Sequence, residues 1–224
     1  MNVTEMDTLF RMELDKIDTL AVPNFRTAER ELILNTTQDR FISRAYQKFE
    51  VNQDSIEALR TLVTTITLAP TSTSTNVTYF AIPADYMYLV RPGKSTGIGT
   101  VCGVGNTQVT LQNIQTTQDR IDILMEDPFH QPNNEQALML IEGDKIAVYT
   151  LGLSVVDLTI TYLREPLALS LSATGVNTPV GFTSICELPK NSHRLLVDDA
   201  IQHTLETIES PRYKTNVIEN KYNN

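Results

Sequence analysis

Residues 91–106, Arg91-Pro92-Gly93-Lys94-Ser95-Thr96-Gly97-Ile98-Gly99-Thr100-Val101-Cys102-Gly103-Val104-Gly105-Asn106, admit two opposed readings. Gly93-Lys94-Ser95 resembles the end of a phosphate-binding loop, which would sit between a strand and a helix. That loop needs a glycine five positions before its Gly-Lys pair, and the position is Tyr88. Pro92 falls inside the span and lacks the N–H such a loop turns toward phosphate. The chain then continues Gly97-Ile98-Gly99-Thr100-Val101, poor in helix formers. The dinucleotide fingerprint fails as well, because Cys102 stands where its third glycine belongs. Gly105-Asn106 instead separates Val101-Cys102-Gly103-Val104 from Thr107-Gln108-Val109-Thr110-Leu111, the pattern of a β-hairpin. Residues 91–99 before it read as an exposed, flexible loop.

On both sides of this hairpin the pattern stays with strands. Ile66 and Leu68 alternate with threonines, "PTSTSTN" (70–76) reads as a loop tip, and Phe80 and Ile82 alternate up to Pro83. Residues 83–88 suggest a helical turn and 118–126 a short helix. Leu138–Ile141 and Ile146–Tyr149 flank Gly143-Asp144 as a tight hairpin. In the next strand Val156, Leu158, Ile160 and Tyr162 define the inward face. Residues 167–184 read as irregular.

The two ends of the chain are helical. Met6, Leu9, Phe10, Leu14 and Ile17 recur at helical spacing, and Pro23 ends that helix. A second helix is expected over 27–49, with a stripe of Ala28, Leu32, Ile42, Ala45 and Phe49 on which Asn35 also falls. A short helix follows at 55–62. Pro189 opens a final helix whose face is Val197, Ala200, Ile201, Thr204, Leu205 and Ile208, and Pro211 breaks it. The plan is α+β: N- and C-terminal helices packed together, residues 1–63 with 186–210, and an inserted antiparallel β module over 64–185. Residues 211–224 form a tail segment.

With 224 residues, 41% apolar and 20% charged, the chain suits a soluble globular fold. No apolar run reaches the roughly 18 residues of a membrane span, and the polar start does not resemble a signal peptide. Cys102 and Cys186 form neither a disulfide framework nor a metal knuckle. The sequons at Asn2, Asn35 and Asn76 carry no weight without secretion. The net charge is −9, and residues 61–185 hold ten acids against five bases. Tight nucleic-acid binding requires concentrated Lys and Arg, and no such concentration exists.

Candidate chemistry is sparse. His130, His193 and His203 have no metal-binding spacing and read as surface or structural histidines. Asp119, Asp122 and Glu126 share a helix face that could hold a cation weakly, but a solvated face accounts for them. Asp198 and Asp199 are about 100° apart on a helix and cannot converge on one atom. No catalytic residue, cofactor or metal is expected.

Five stretches occur in a telling order: "VPNFRTAERELILNTTQDRFI", "FAIPADYMYLVRPG", "MEDPFHQPNNEQALMLIEGDKIAVY", "ITYLREPLALSL" and "CELPKNSHRLLVDDAIQHTLE". The set, over residues 23–209, resembles the ring or head–tail adaptor proteins of tailed bacteriophages, particularly crAss-like phages with short tails. The resemblance implies a virion protein of the tail or collar region, made in the host cytoplasm, that joins the portal to the tail. Its partners would be the portal protein, neighbouring copies in a twelve-membered ring, and other ring or tail proteins. Genomic DNA would be met only in passage, and no membrane is involved. In such a protein Lys94, Phe129 and His130 would sit in tail-facing loops. Beyond Pro211, Tyr213, Val217, Ile218 and Tyr222 are spaced as an anchoring set beside Arg212, Lys214 and Lys221, suited to a neighbouring copy or the portal. The alternatives are another virion component, such as a tail hub or capsid accessory protein, and an α+β enzyme or small-molecule binder with a site of scattered residues.

Overall fold

A computed structural model describes residues 1–17, 25–49, 53–101, 104–171, 182–183 and 185–207. In chain order the elements are α1 (Val3–Ile17), α2 (Thr27–Gln47), α3 (Gln53–Leu59), β1 (Val63–Leu68), β2 (Pro70–Thr73), β3 (Val77–Ala81), β4 (Tyr86–Val101), β5 (Val104–Gln115), α4 (Ile121–Glu126), β6 (Gln136–Glu142), β7 (Lys145–Tyr149), β8 (Ser154–Arg164), β9 (Ala168–Leu169), β10 (Phe182–Thr183) and α5 (Lys190–Thr207). The class is α+β. Two compact units divide the chain, Met1–Leu62 with Pro166–Asn224, and Val63–Glu165.

The first unit is built on α1, α2 and α5. Asn2 and Glu5 cap α1 reciprocally: the Asn2 side chain accepts the Glu5 N–H at 2.8 Å and the Glu5 carboxylate accepts the Asn2 N–H at 3.0 Å. Met6, Phe10 and Leu14 of α1 are buried, as are Val197, Ala200, Ile201, Thr204 and Leu205 of α5. Both α1 and α2 pack on α5. Ion pairs tie the three helices pairwise: Asp7–Arg30 at 2.6 Å, Glu13–Arg194 at 2.7 Å and Arg44–Asp199 at 2.9 Å.

The expected stripe of α2 holds only in its second half. Ile42 and Ala45 are buried, but Ala28 and Leu32 face outward, and Leu34, Thr37 and Gln38 are buried instead. Thr37 can sit inside because its hydroxyl donates to the Ile33 carbonyl at 2.7 Å, which satisfies a polar group that burial would otherwise penalise. Asn35 is structural: its amide donates to the Leu169 carbonyl at 3.0 Å, and its side-chain oxygen accepts the Leu169 N–H at 2.7 Å. It stands in for a neighbouring strand. Glu31 extends the arrangement by accepting the Leu171 N–H at 2.6 Å. Residues 168–169, read as irregular, are therefore a strand edge clamped to α2, with β10 parallel on it. The strand-rich unit accordingly ends at Glu165 rather than at 185.

The second unit is an eight-stranded curled sheet in the order β1-β8-β4-β5-β6-β7-β3-β2. Its two edge strands are joined by Ala69 alone, and β2 lies against β8. Phe80, Leu111, Met139, Ile146, Leu158 and Ile160 fill the interior and are fully buried. Each such side chain stabilises the fold by about 1.5–3 kcal/mol. The sheet is not purely antiparallel, because β5 and β6 run parallel. A parallel pair needs a crossover, and residues 116–135 supply it. Within them α4, shorter than the expected 118–126 helix, lays Ile121 on Leu138 and Leu140.

Five local expectations differ from the structure. Residues 91–99 are not a loop: β4 runs unbroken from Tyr86 to Val101, so Lys94 lies on a strand, and Gly105-Asn106 are not the hairpin turn but lie within β5. Residues 70–73 of the expected loop tip pair with β3. Tyr86–Tyr88 of the expected helical turn pair with β8. Val156 is outward, whereas Val155 is buried. The cause is a bulge: Thr96 pairs with Asp157 but Gly97 with Val155, so one extra residue on β8 shifts the phase of the alternation.

Candidate functional site

Arg91-Pro92-Gly93-Lys94 is a bulge in β4, held in place by the strands on both sides, β8 and β5. The pairing with β8 slips between Arg91 and Lys94. Gly93 takes φ +65°, and a Cβ there would stand 1.9 Å from the Thr159 carbonyl oxygen, so only glycine fits. Asn113 of β5, buried, donates to the Pro92 carbonyl at 3.1 Å and accepts the Ser95 hydroxyl at 2.8 Å. Pro92 has no N–H to offer a phosphate, its carbonyl is taken by Asn113, and Lys94 is paired on both sides, so the bulge makes no phosphate cradle.

A trough of about 790 Å³ lies over this bulge on β1, β8, β4 and β5. Its floor includes Thr65, Thr96, Thr110, Thr159 and Thr161. Cross-strand hydroxyl pairs, Thr65–Thr161 and Thr67–Thr159 at 3.0 Å each, order this face. Arg91 and Lys94 project beside it with Asp157. None of the three makes an ion pair among the described residues. Reading residues 91–99 as a loop missed this site; the signal that could have found it is that a glycine within a strand marks a bulge.

The crossover places the two other expected contact residues. Phe129 is 92% exposed in the turn after α4, where it exceeds every other exposed apolar side chain among the described residues. Asp127 organises that turn by accepting the Phe129 N–H at 3.0 Å and pairing with the His130 ring at 2.5 Å. These two bonds, the Phe129 N–H first, hold the Asp127 carboxyl below its usual range. Ile123, 68% exposed, gives the same segment a second apolar contact. Asp119, Asp122 and Glu126 are all exposed, and among the described residues no group of three His, Cys, Asp or Glu is placed to hold a metal.

In the first unit a small apolar groove of about 220 Å³ is lined by Phe25, Leu32, Ile33, Thr36, His203, Thr204 and Thr207. Leu32, which the expected stripe placed inside, is exposed and contributes to this lining. His203 has its Nδ1 buried without a partner among the described residues, and burial, with Arg40 next, lowers its pKa. His193 is structural: its Nε2–H donates to the Leu188 carbonyl at 2.7 Å while Nδ1 accepts from the Met1 nitrogen at 2.8 Å. Burial pushes the Cys186 thiol up, away from nucleophile behaviour. Asp198 is raised by burial first and then by Glu13. Arg212, Tyr213, Lys214, Val217, Ile218 and Tyr222, the expected anchoring set, lie outside the described residues. No helix among the described residues is long and apolar enough to cross a membrane.

No protein-family model matches this chain, and no curated protein matches it.

Proposed function

We propose that this chain is a structural ring protein of a tailed-phage virion that joins the portal to the tail and surrounds the DNA path. The observation that carries the reading is the ordered set of five sequence stretches over residues 23–209 that resembles head–tail adaptors. The surfaces support it. A closed ring needs one patch to meet a different patch on the next copy. The trough, the Phe129 turn and the α2–α5 groove are three surfaces of different chemistry. A net charge of −9 suits a conduit, because dense Lys and Arg would retain phosphates. The portal protein, neighbouring copies in a twelve-membered ring and further tail proteins are its partners in this reading, and no step is catalysed.

Electron microscopy of the purified chain mixed with its portal tests the proposal. A closed ring of this protein seated on the portal is expected. A chain that leaves the portal bare, or that decorates it at isolated points, contradicts the connector role.

A further inference from the structure

We infer that the trough over the Arg91–Lys94 bulge is a docking surface for the carboxylate face of a second copy of this chain, formed by Asp119, Asp122 and Glu126. The inference rests on the ring reading and deepens it by assigning both sides of one subunit contact. The trough comes first. Two cations, Arg91 and Lys94, stand exposed on a rigid bulge without an ion-pair partner among the described residues. They face outward from a chain whose net charge is −9. The clamped backbone beneath them loses no freedom on binding, so only the two side chains are left to be ordered.

The shape and lining choose among occupants. The trough is open and spans four strands, so it fits an extended or helical protein surface rather than an enclosed small molecule. Among the described residues no aromatic side chain lines it, which leaves sugar rings and nucleobases without a stacking platform among them. Two cations beside Asp157 are too few to hold a phosphate backbone against an acidic chain. Side-chain carboxylates remain as the matching chemistry, presented to threonine hydroxyls and to Arg91, whose fork can take a carboxylate bidentately.

The second copy supplies those carboxylates. Asp122, Glu126 and Ile123 of α4, with Asp119 just before it and Phe129 just after it, are all exposed, so the segment offers carboxylates and apolar side chains together. The two patches occupy different parts of the same unit: the trough lies on β1, β8, β4 and β5, whereas α4 packs on Leu138 and Leu140 of β6. A contact that joins the trough of one copy to the α4 segment of the next, without the reciprocal contact, is heterologous, as a ring requires.

A charge exchange tests this on the full chain by sedimentation equilibrium, with thermal melts to show that each variant is folded. One variant carries Arg91→Glu and Lys94→Glu, the other Asp119→Lys, Asp122→Lys and Glu126→Lys, and a third carries the neutral pair Arg91→Gln and Lys94→Gln. The wild-type chain is expected to self-associate with Kd below about 1 mM. Each reversed variant alone should associate at least tenfold more weakly, the neutral variant should be intermediate, and an equimolar mixture of the two reversed variants should recover wild-type association. Absence of self-association up to about 1 mM overturns the inference, as does a mixture that stays as weak as its components. Binding of polyglutamate at the trough, with self-association untouched by the α4 reversal, assigns the trough to another acidic protein and equally overturns it. Recovery in the mixture without ring formation on the portal would keep this contact and remove the connector reading; a portal-seated ring without recovery would do the reverse.

Discussion

Gly93 shows how much one residue can decide. At φ +65°, with the Thr159 carbonyl where a side chain would begin, Gly93→Ala must move backbone. We predict a loss on the order of 3 kcal/mol in urea unfolding; unchanged stability would mean that the bulge is not clamped. His193 gives a prediction in pH. Burial, first among its causes, lowers its pKa from the ordinary 6.5, so the unfolded chain takes up the proton more readily than the folded one. Stability must then rise with pH, and the loss begins as pH falls below about 6.5. Asp198, raised by burial, acts in the opposite sense. Replacing His193 with Gln should therefore flatten the fall of the urea midpoint between about pH 7 and about pH 5 relative to wild type; parallel curves would contradict the assignment. At this scale the sequence was only partly legible. Asn35 on an apolar stripe looked like a misfit, because nothing local reveals that its amide pairs with the backbone of Leu169 far along the chain.

Strand β4 carries the lesson for elements. Proline, glycine and lysine at 92–94 have the composition of a loop, yet the pairing of Arg91 and Lys94 with β8, of Lys94 with β5, and the Asn113 bond to the Pro92 carbonyl hold them within a strand. Propensity here yields to tertiary context. Replacing Lys94 with Ala should leave the melting temperature unchanged, because its side chain lies on the exposed face. ATP with magnesium should not raise it either; a clear rise would revive the phosphate-loop reading, since a ligand of the native state stabilises by mass action. The hairpin β6–β7 was legible throughout, from two apolar runs around Gly143-Asp144. The parallel pairing of β5 with β6 was not, because α4 is too short to announce a strand–helix–strand unit. The phase of β8 was hidden by a bulge that periodicity alone cannot see.

For the whole molecule the α+β class was readable from the order of helical and alternating segments, while the end of the strand-rich unit depended on the clamp between α2 and β9. The functional surfaces were less legible. The turn that exposes Phe129 was readable from its prolines and asparagines, but the trough exists only once β1 and β8, distant in sequence, lie side by side. If the tail is an anchor, deleting residues 212–224 should leave the melting temperature within about 2 °C and weaken portal docking at least tenfold. A truncated chain that docks with full affinity would remove the anchor.

The connector role itself is tested most directly by saturation of the portal. Purified portal titrated with this chain and resolved by mass should take up close to one copy per portal subunit. Saturation at a single copy per whole portal would contradict a ring.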